Sequence, residues 1–442
     1  MPPQMDRLLL NETHNPALRS WVPSANAPEE DFPIQNLPLA AFREHPQGAF
    51  RIGAAIGDAI VDLSHPTAAA LLEPAVAQAC RSPRLNELMA LGPAAWSQLR
   101  LSLSRALRVG SPQQGRLGAA LIAQEAVQYG LAATIGDFSD FYTSIFHATA
   151  VGRLLRPDQP LLPNYKWIPI AYHGRASSVR VSGSPVTRPI GQIRLSGLEA
   201  PVVTASRKLD YEVELGVFIG AGNPPAQPIP ISEAWSHVFG VVLLNDWSAR
   251  DIQAWEYQPL GPFLSKSFAT TISPWVVTAE ALHPFRSCCN RPMGDPQPLP
   301  YLNDAQDRAA GSLDIVLEAS IATAAMRAAG QPAVRLSRSS SRHAYWTIAQ
   351  MLAHHTVNGC NLVAGDLLGT GTQSGPEPGQ AGSLIELTAG GREPLTLPSG
   401  ERRTFLEDGD EITLSGFCER EGFARIGLCT ATAQILAARA PA

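Results

Sequence analysis

The chain has 442 residues, of which 45% are hydrophobic and 17% charged, and its formal net charge is -5 at pH 7. This length allows two or three domains, and the slight negative charge argues against nucleic acid or an anionic membrane surface as a partner. No apolar run approaches the about eighteen residues of a membrane span, and the N-terminus lacks the apolar core of a signal peptide, so we expect a cytoplasmic protein.

Three segments differ in pattern along the chain. Residues 1–30 are polar and interrupted by prolines, which predicts a poorly ordered extension. Residues 31–130 begin with strand-like runs and continue with leucine and alanine at helical spacing, which predicts a small α+β domain. In residues 131–442, short runs of valine, isoleucine and leucine alternate with glycine and proline turns. The predicted fold class is therefore mainly β with some α.

The first candidate site lies in "DFSDFYTSIFHATAVGRLLRP", near the start of the second domain. Asp140 and His147 are two helical turns apart, so a helix beginning near Ser139 or Asp140 would place both on one side. His147 is a candidate general base, because imidazole titrates closest to neutral pH. The alternative that His147 is a surface residue or a hydrogen-bonded core residue stays open.

The segment "LDYEVELGVFIG", residues 209–220, has the alternation of a β-strand. Asp210, Glu212 and Glu214 would then lie on one face. Two interpretations are open: an edge strand with its acidic face in water, or inward-facing carboxylates that need a divalent cation to offset their repulsion.

A third candidate site is "NDWSARDIQAWEYQPLGPFLSKSF". Asp246, Arg250, Gln253 and Tyr257 have the spacing of one helix face, and Lys266 follows a proline and glycine turn that would return it to the same place. The alternative is a helix cap at Asp246 followed by a solvated face on which Arg250 pairs with Asp246 or Asp251.

The remaining candidate site residues lie in three further segments. Tyr172 is predicted in a loop after a strand, in "AYHGRASSV". The "GTGTQSGPEP" segment leads into prolines and not into a helix, which excludes a dinucleotide-binding turn but allows close approach of its backbone to a small ligand. Glu386 in "GSLIELT" is predicted on a strand, where it either orients a histidine or faces solvent.

Six segments in chain order resemble the fumarylacetoacetate hydrolase family. They are "DFPIQNLP", "DFSDFYTSIFHATAVG", "YHGRASSVRVSG", "LDYEVELGVFIGAGN", "FGVVLLNDWSARDIQAWEYQPLGPFLSKSF" and "HHTVNGCNLVAGDLLGTGTQSGPEP", and the resemblance covers roughly residues 31–430. The resemblance implies an N-terminal SH3-like barrel domain at residues 31–130 and a C-terminal catalytic domain, a β-sandwich roll, at residues 131–442. It also implies a homodimer and Mg2+ or Ca2+ as cofactor.

The resemblance also implies site roles, residue by residue. The implied metal ligands are Asp140, Glu212, Glu214 and Asp246. The implied catalytic residues are His147 as the base, Glu386 as its orienting carboxylate, and Arg250, Gln253 and Lys266 as stabilisers of the oxyanion and leaving group. The implied substrate contacts are Tyr172, Arg156, Tyr257 and Thr372. Asp210 matches no ligand, and the resemblance gives residues 1–30 and 283–298 no role.

The implied reaction is metal-dependent hydrolysis of the C–C bond of fumarylacetoacetate, a β-diketo acid, to fumarate and acetoacetate. This is the last step of tyrosine and phenylalanine catabolism. Two alternatives stay open. Related enzymes use the same carboxylates for decarboxylation, isomerisation or hydration, and a catalytically silent protein would only bind metal and dicarboxylate. A base at His147 paired with Glu386 favours hydrolysis.

Overall fold

The computed structural model describes residues 10–439. Its N-terminal part is an antiparallel five-stranded sheet in the order β4-β3-β2-β1-β5, with five helices inserted between β3 and β4. The strands are β1 (Leu39–Arg43), β2 (Arg51–Ile56), β3 (Ala59–Asp62), β4 (Leu121–Ala123) and β5 (Gln128–Gly130). The helices are α1 (Pro66–Ala69), α2 (Pro74–Ala79), α3 (Asn86–Ala90), α4 (Pro93–Leu107) and α5 (Gln114–Leu117).

Residues 10–30 pack against this part of the molecule, so the prediction of poor order is wrong for them; residues 1–9 of that segment lie outside the described residues. Trp21 donates through Nε1 to a carbonyl of α4 at 2.9 Å, and His14 Nε2 lies 2.9 Å from the carbonyl oxygen of Glu280. The polar composition was misleading because these contacts are tertiary and have no local sequence signal.

The rest of the chain contains two larger sheets, and most of its strands are short. The strands are β6 (Phe138–Phe141), β7 (Ala171–His173), β8 (Val179–Val181), β9 (Val186–Thr187), β10 (Ile190–Ile193), β11 (Val202–Ala205), β12 (Leu209–Asp210), β13 (Val213–Ile219), β14 (Val238–Asp246), β15 (Ser248–Ala249), β16 (Thr270–Ile272), β17 (Val277–Thr278), β18 (Arg286–Ser287), β19 (Ser312–Leu313), β20 (Val316–Ala322), β21 (Val334–Ser340), β22 (Leu367–Gly369), β23 (Leu395–Thr396), β24 (Arg402–Arg403), β25 (Glu411–Cys418) and β26 (Ile426–Leu436). The helices are α6 (Ile145–Leu155), α7 (Arg250–Glu256), α8 (Ala305–Ala310), α9 (Ala324–Ala328), α10 (Ile348–Thr356) and α11 (Leu384–Leu387).

An eight-stranded sheet lies at the centre of the molecule, in the order β7-β6-β22-β13-β14-β16-β8 with β17 also paired to β14. On β14, Val241 and Leu243 share a core with the five-stranded sheet β21-β20-β25-β26-β9. Val242 and Leu244, on the opposite face, share a second core with the N-terminal sheet and α4. Both faces of the central strands are therefore buried, so a polar side chain on either face must find a partner.

This position decides between the two interpretations of the acidic strand. Strand β13 lies between β14 and β22 and is not an edge strand. Val213 and Leu215 belong to the first core, whereas Glu214 points to the opposite face and is fully buried. The carboxylates face inward, as the metal-site interpretation requires.

The mainly β fold class with some α is confirmed. The SH3-like description of the N-terminal part and the domain boundary at about residue 130 stay predictions. Within the described residues, no helix combines the length and the hydropathy needed to cross a bilayer.

Candidate active site

Three buried carboxylates meet across four consecutive strands of the central sheet, β6-β22-β13-β14. Asp140 on β6, Glu214 on β13 and Asp246 at the end of β14 offer oxygens that all lie within 4.8 Å of one another. We call these three residues the carboxylate triad. The backbone N–H of Gly371 donates to Asp140 Oδ1 at 3.1 Å and to Glu214 Oε2 at 2.9 Å. One glycine therefore fixes two members of the triad.

The close approach of the triad has an electrostatic consequence. Burial, together with the negative charge of Asp246, raises the pKa of Asp140 well above its ordinary value. Burial and the charge of Asp140 do the same to the pKa of Glu214. Glu214 Oε1 has no hydrogen-bond partner among the described residues, although it is buried. A hard divalent cation with oxygen ligands fits these observations, because it would bind the unpartnered oxygen and offset the repulsion.

Lys266 connects the triad to Glu212, the fourth predicted metal ligand. Its Nζ lies 2.6 Å from Asp246 Oδ2 and also binds Glu212 Oε2. Burial favours the neutral lysine, but the charges of Asp246 and Glu212 outweigh it and raise the pKa of Lys266. Burial likewise opposes ionisation of Glu212, but the charges of Lys266 and Arg250 hold the pKa of Glu212 well below its ordinary value. Glu212 is thus next to the triad with both oxygens paired, and its role as a ligand stays a prediction.

Arg250, the first residue of α7, lies on the other side of Glu212. Its NH2 forms an ion pair with Glu212 Oε1 at 2.8 Å, and its Nε donates to Asp210 Oδ2 at 2.9 Å. Its NH1 donates to the amide oxygen of Gln253 at 3.2 Å. The pairing of Arg250 with Asp246 or Asp251, considered above as the alternative, is wrong. The guanidinium and the Lys266 ammonium instead flank Glu212 and place two positive charges beside the triad.

His147 and Glu386 form a buried pair in the same site. His147 Nδ1 lies 2.6 Å from Glu386 Oε2, and His147 Nε2 lies 3.7 Å from Glu212 Oε1. The same Glu386 oxygen accepts hydrogen bonds from the hydroxyls of Ser374 and Ser383. Burial opposes ionisation of Glu386, but His147 and these hydroxyls lower the pKa of Glu386 below its ordinary value. A carboxylate at Nδ1 places the neutral imidazole's proton there, which leaves Nε2 as the basic nitrogen.

The predicted substrate contacts occupy different positions around this cluster. The Tyr172 hydroxyl donates to Asp246 Oδ2 at 2.7 Å, and burial together with the charge of Asp246 raises the pKa of the phenol well above its ordinary value. Tyr257 is the C-cap of α7, directly after the helix that holds Arg250. Arg156 caps α6, and Thr372 follows Gly371. Arg156 Nε and Thr372 Oγ1 are buried without a hydrogen-bond partner among the described residues, and thus have donor capacity to offer a ligand.

Four local predictions of secondary structure are wrong. Tyr172 lies on strand β7, where it pairs with Asp140 of β6, and not in a loop. Asp246 is the last residue of β14 and not on the helix of Arg250; the chain stays extended because Trp247 enters the core and Ser248 pairs with β12. Asp140 lies on β6, and the helix of His147 begins only at Ile145. Glu386 lies on the short helix α11 and not on a strand. These residues nevertheless converge, because tertiary contacts and not helix faces bring them together.

Sequence reasoning missed Asp210 and the two glycines of the Gly369-Thr370-Gly371 segment. Gly369 pairs with Asp140 across the parallel strands β22 and β6. A Cβ on Gly369 would lie 2.4 Å from Asp140 Oδ1 and 3.2 Å from Glu214 Oε2. The backbone here approaches the triad and not a nucleotide. The signal was present in the repeated glycines, whose partners the sequence alone could not identify.

Comparisons with known proteins find relatives that match nearly the whole chain. Residues 35–132 match the family described as fumarylacetoacetase N-terminal, and residues 140–434 match fumarylacetoacetate (FAA) hydrolase C-terminal. The chain is 46% identical to the fumarylacetoacetase of Rattus norvegicus over 431 residues, which cover 96% of this chain and 100% of that protein. It is 45% identical to the fumarylacetoacetase of Homo sapiens over 433 residues, with the same coverage, and 44% identical to that of Arabidopsis thaliana over 416 residues, covering 92% and 96%.

A solved structure agrees with the fold. A fumarylacetoacetate hydrolase from psychrophilic Exiguobacterium antarcticum superposes with a TM-score of 0.50 at 18% identity, covering 91% of this chain and 100% of that one. At this identity, the similarity bears on the fold alone.

Proposed function

Because the chain belongs to the fumarylacetoacetase family, we propose that it hydrolyses the C–C bond of fumarylacetoacetate to fumarate and acetoacetate, the last step of tyrosine and phenylalanine catabolism. It is thus a hydrolase acting on a carbon–carbon bond of a ketonic substrate. The observation that carries the residue-level proposal is the buried His147–Glu386 pair, which leaves His147 Nε2 as a base 3.7 Å from Glu212 Oε1. Lys266 connects Glu212 to Asp246 of the carboxylate triad.

The carboxylate triad would hold a divalent cation, with Glu212 as the fourth candidate ligand. The all-oxygen donor set and the unpartnered Glu214 Oε1 support Mg2+ or Ca2+, since both are hard cations that prefer oxygen ligands. When bound, such a cation supplies a Lewis acid that draws negative charge from the substrate oxygens.

His147 is the general base of the proposed reaction. Glu386 holds Nδ1, and Nε2 takes a proton from water as the water oxygen adds to the carbonyl carbon of the fumaroyl group. The bond between that carbon and the neighbouring CH2 then breaks, and its electron pair leaves with the acetoacetate fragment. The proton held by His147 is then transferred to the CH2 carbon, which becomes the methyl group of acetoacetate, while the hydroxyl stays on the fumaroyl carbon as part of the new carboxyl group. One water is thus consumed for each pair of products.

Two positive groups beside Glu212 and one neutral amide next to them offset the negative charge that develops on the substrate. Arg250, Gln253 and Lys266 are the proposed donors, and loss of one such donor costs about 3 kcal/mol of transition-state stabilisation in other enzymes. Arg156 is a candidate to bind a substrate carboxylate, because its Nε is buried without a partner among the described residues. Tyr172, Tyr257 and Thr372 add hydroxyl contacts in this proposal.

Three further properties also belong to the proposal. They are an SH3-like barrel for residues 31–130 with the catalytic domain at residues 131–442, assembly as a homodimer, and location in the cytoplasm. The mass of the purified protein in solution tests the homodimer. A single species of 47.2 kDa, the mass of one chain, would contradict it.

The activity is tested by incubating purified protein and Mg2+ with fumarylacetoacetate while following the ultraviolet absorbance of the β-diketone. We expect the absorbance to fall and fumarate and acetoacetate to accumulate in equal amounts. Folded protein that leaves the absorbance unchanged, or that releases carbon dioxide instead, would contradict hydrolysis of this substrate. Acylpyruvates would be the next substrates to test.

A further inference from the structure

Asp210 is a buried carboxylate of this region that has no role in the reaction described above. Its side chain is 0% exposed, and its two oxygens accept four hydrogen bonds. Oδ1 accepts from the N–H groups of Tyr211 at 2.9 Å and Leu384 at 2.8 Å. Oδ2 accepts from the N–H of Ile385 at 3.0 Å and from Arg250 Nε at 2.9 Å. Each oxygen is therefore fully used by donors from the protein itself.

These donors belong to two segments that carry proposed catalytic groups. Arg250 is the first residue of α7, and its guanidinium also pairs with Glu212. Leu384 and Ile385 are the first two residues of α11, and Glu386 follows directly. One carboxylate therefore joins the start of α7 to the start of α11. The position of the Arg250 guanidinium relative to the Glu386–His147 pair depends on this connection.

We propose that Asp210 is a positioning residue for the hydrolysis: it holds Arg250 and the α11 segment with Glu386 in one fixed arrangement. It acts through these two residues and does not touch the substrate. The inference rests on the proposed function, since it assigns Asp210 a part in that same reaction. Misplacing a catalytic group by about 1 Å lowers turnover by as much as about a hundredfold in other enzymes.

The substitution Asp210→Asn separates this role from simple space filling, because it keeps the size of the side chain. An amide has only one acceptor oxygen, so its NH2 would face two donors. In one orientation those are Arg250 Nε and the N–H of Ile385, and in the other they are the N–H groups of Tyr211 and Leu384. The first orientation breaks the connection of Arg250 to α11. The second keeps Arg250 and Ile385 on the oxygen but loses the contact with Leu384, one of the two contacts to α11, and both orientations remove the negative charge that pairs with Arg250.

Asp410 offers a matched control in another part of the chain. It is also 0% exposed, and its carboxylate accepts from Arg403 Nε and NH2, both at 2.9 Å, and from the N–H of Glu407 at 2.9 Å. Asp410→Asn therefore removes the same kind of buried carboxylate from an arginine and a backbone N–H. None of these partners is a proposed site residue.

The test measures kcat and KM for fumarylacetoacetate with Mg2+, and the free energy of unfolding, for the wild type and both asparagine variants. We expect both variants to lose stability. Asp210→Asn should lower kcat by at least about tenfold while KM changes by less than about threefold, and Asp410→Asn should keep the wild-type kcat. Mn2+ titration should give the same affinity for wild type and Asp210→Asn, because Asp210 is not part of the carboxylate triad.

A second measurement distinguishes positioning from a general loss of order. In an Arg250→Lys background, Asp210→Asn should lower kcat by clearly less than it does in the wild type, because one of the two partners through which it acts is already removed. A wild-type kcat for Asp210→Asn, an equal loss in Asp410→Asn, or fully additive effects would each overturn the inference.

If Asp210→Asn does not fold, Asp210→Ser, which leaves space for a water, replaces it in both measurements. Failure of both variants to fold would also overturn the inference, because Asp210 would then be a requirement of folding itself. Absence of turnover in the wild type would overturn the proposed function and this inference together. Normal wild-type turnover with a fully active Asp210→Asn would overturn this inference alone.

Discussion

At the residue scale, the proposed chemistry depends on the different surroundings of His147 and the carboxylate triad. His147 is buried against Glu386 and lies beside Glu212, but it is not a member of the triad. Proton transfer and cation binding are therefore assigned to separate side chains, and substitution can remove one function without the other.

The first prediction concerns His147→Ala. Loss of a general base lowers turnover by about a hundredfold to ten-thousandfold, whereas the affinity for Mg2+ should stay within about threefold because the triad is retained. Turnover is followed by the β-diketone absorbance, and Mg2+ binding by calorimetry. His237→Ala is the control, since His237 Nδ1 contacts the carbonyl oxygen of Ala221 and has no proposed role. Strong residual turnover in His147→Ala would remove His147 as the base.

The second prediction concerns Gly369. Because glycine has no Cβ, there is room at this position for the carboxylates of Asp140 and Glu214. In Gly369→Ala, the new Cβ would overlap Asp140 Oδ1 at 2.4 Å and press against Glu214 Oε2. We expect the Mg2+ affinity to fall by at least about tenfold, which equals about 1.4 kcal/mol. Calorimetric titration measures this directly.

Gly115→Ala is the control for Gly369→Ala. Gly115 lies in α5, and a Cβ there would meet nothing within 4 Å. An unchanged Mg2+ affinity in Gly369→Ala would show that the triad can move apart without penalty, and would contradict the role given to this glycine.

At the element scale, most of the residues that the family resemblance implied do lie close together in the structure. The secondary structure that local sequence patterns predicted for several of them is wrong. The helix face of Asp246, Arg250 and Gln253 is absent because β14 continues to Asp246, where Trp247 anchors it in the core. When a short segment is compatible with both a strand and a helix, tertiary packing decides which conformation it adopts. The alternation predicted for residues 209–220 holds on β13, where Val213 and Leu215 share one core and Glu214 lies on the opposite face in the triad. The predicted strand is interrupted at residues 211–212, between β12 and β13.

The third prediction concerns the packing of residues 10–30 on α4. Arg100 of α4 is buried and donates to Thr13 Oγ1, Gln35 O and Asn36 O. Arg100→Met would leave these buried acceptors without their donor, and we expect the free energy of unfolding in urea to fall by about 3 kcal/mol. The kcat of the folded variant should be unchanged, because Arg100 has no proposed part in the site.

Arg105→Met, about one turn further along α4, is the matched control for Arg100→Met. Arg105 pairs with Glu12 but its side chain is 62% exposed, so its loss should cost less than about 1 kcal/mol. Equal losses in both variants would contradict a specific role of the buried Arg100 in holding residues 10–30.

At the scale of the whole molecule, the central sheet explains why the site is buried and why its residues come from distant segments. Residues on β6, β13, β14 and β22 meet because the strand order interleaves segments far apart in the chain. The mainly β class could be predicted from turn and strand patterns, whereas this strand order could not, because no local pattern encodes pairing between Gly369 and Asp140. The SH3-like description and the homodimer stay predictions.

The measurement that tests the central claim most directly is turnover of fumarylacetoacetate before and after exhaustive chelation, followed by return of Mg2+ or Ca2+. Circular dichroism at each stage checks that the protein stays folded. We expect chelation to abolish the loss of β-diketone absorbance and either cation to restore it, with fumarate and acetoacetate as products. Full turnover by the folded, chelated protein would contradict a cation held by Asp140, Glu214 and Asp246 as a requirement of the reaction.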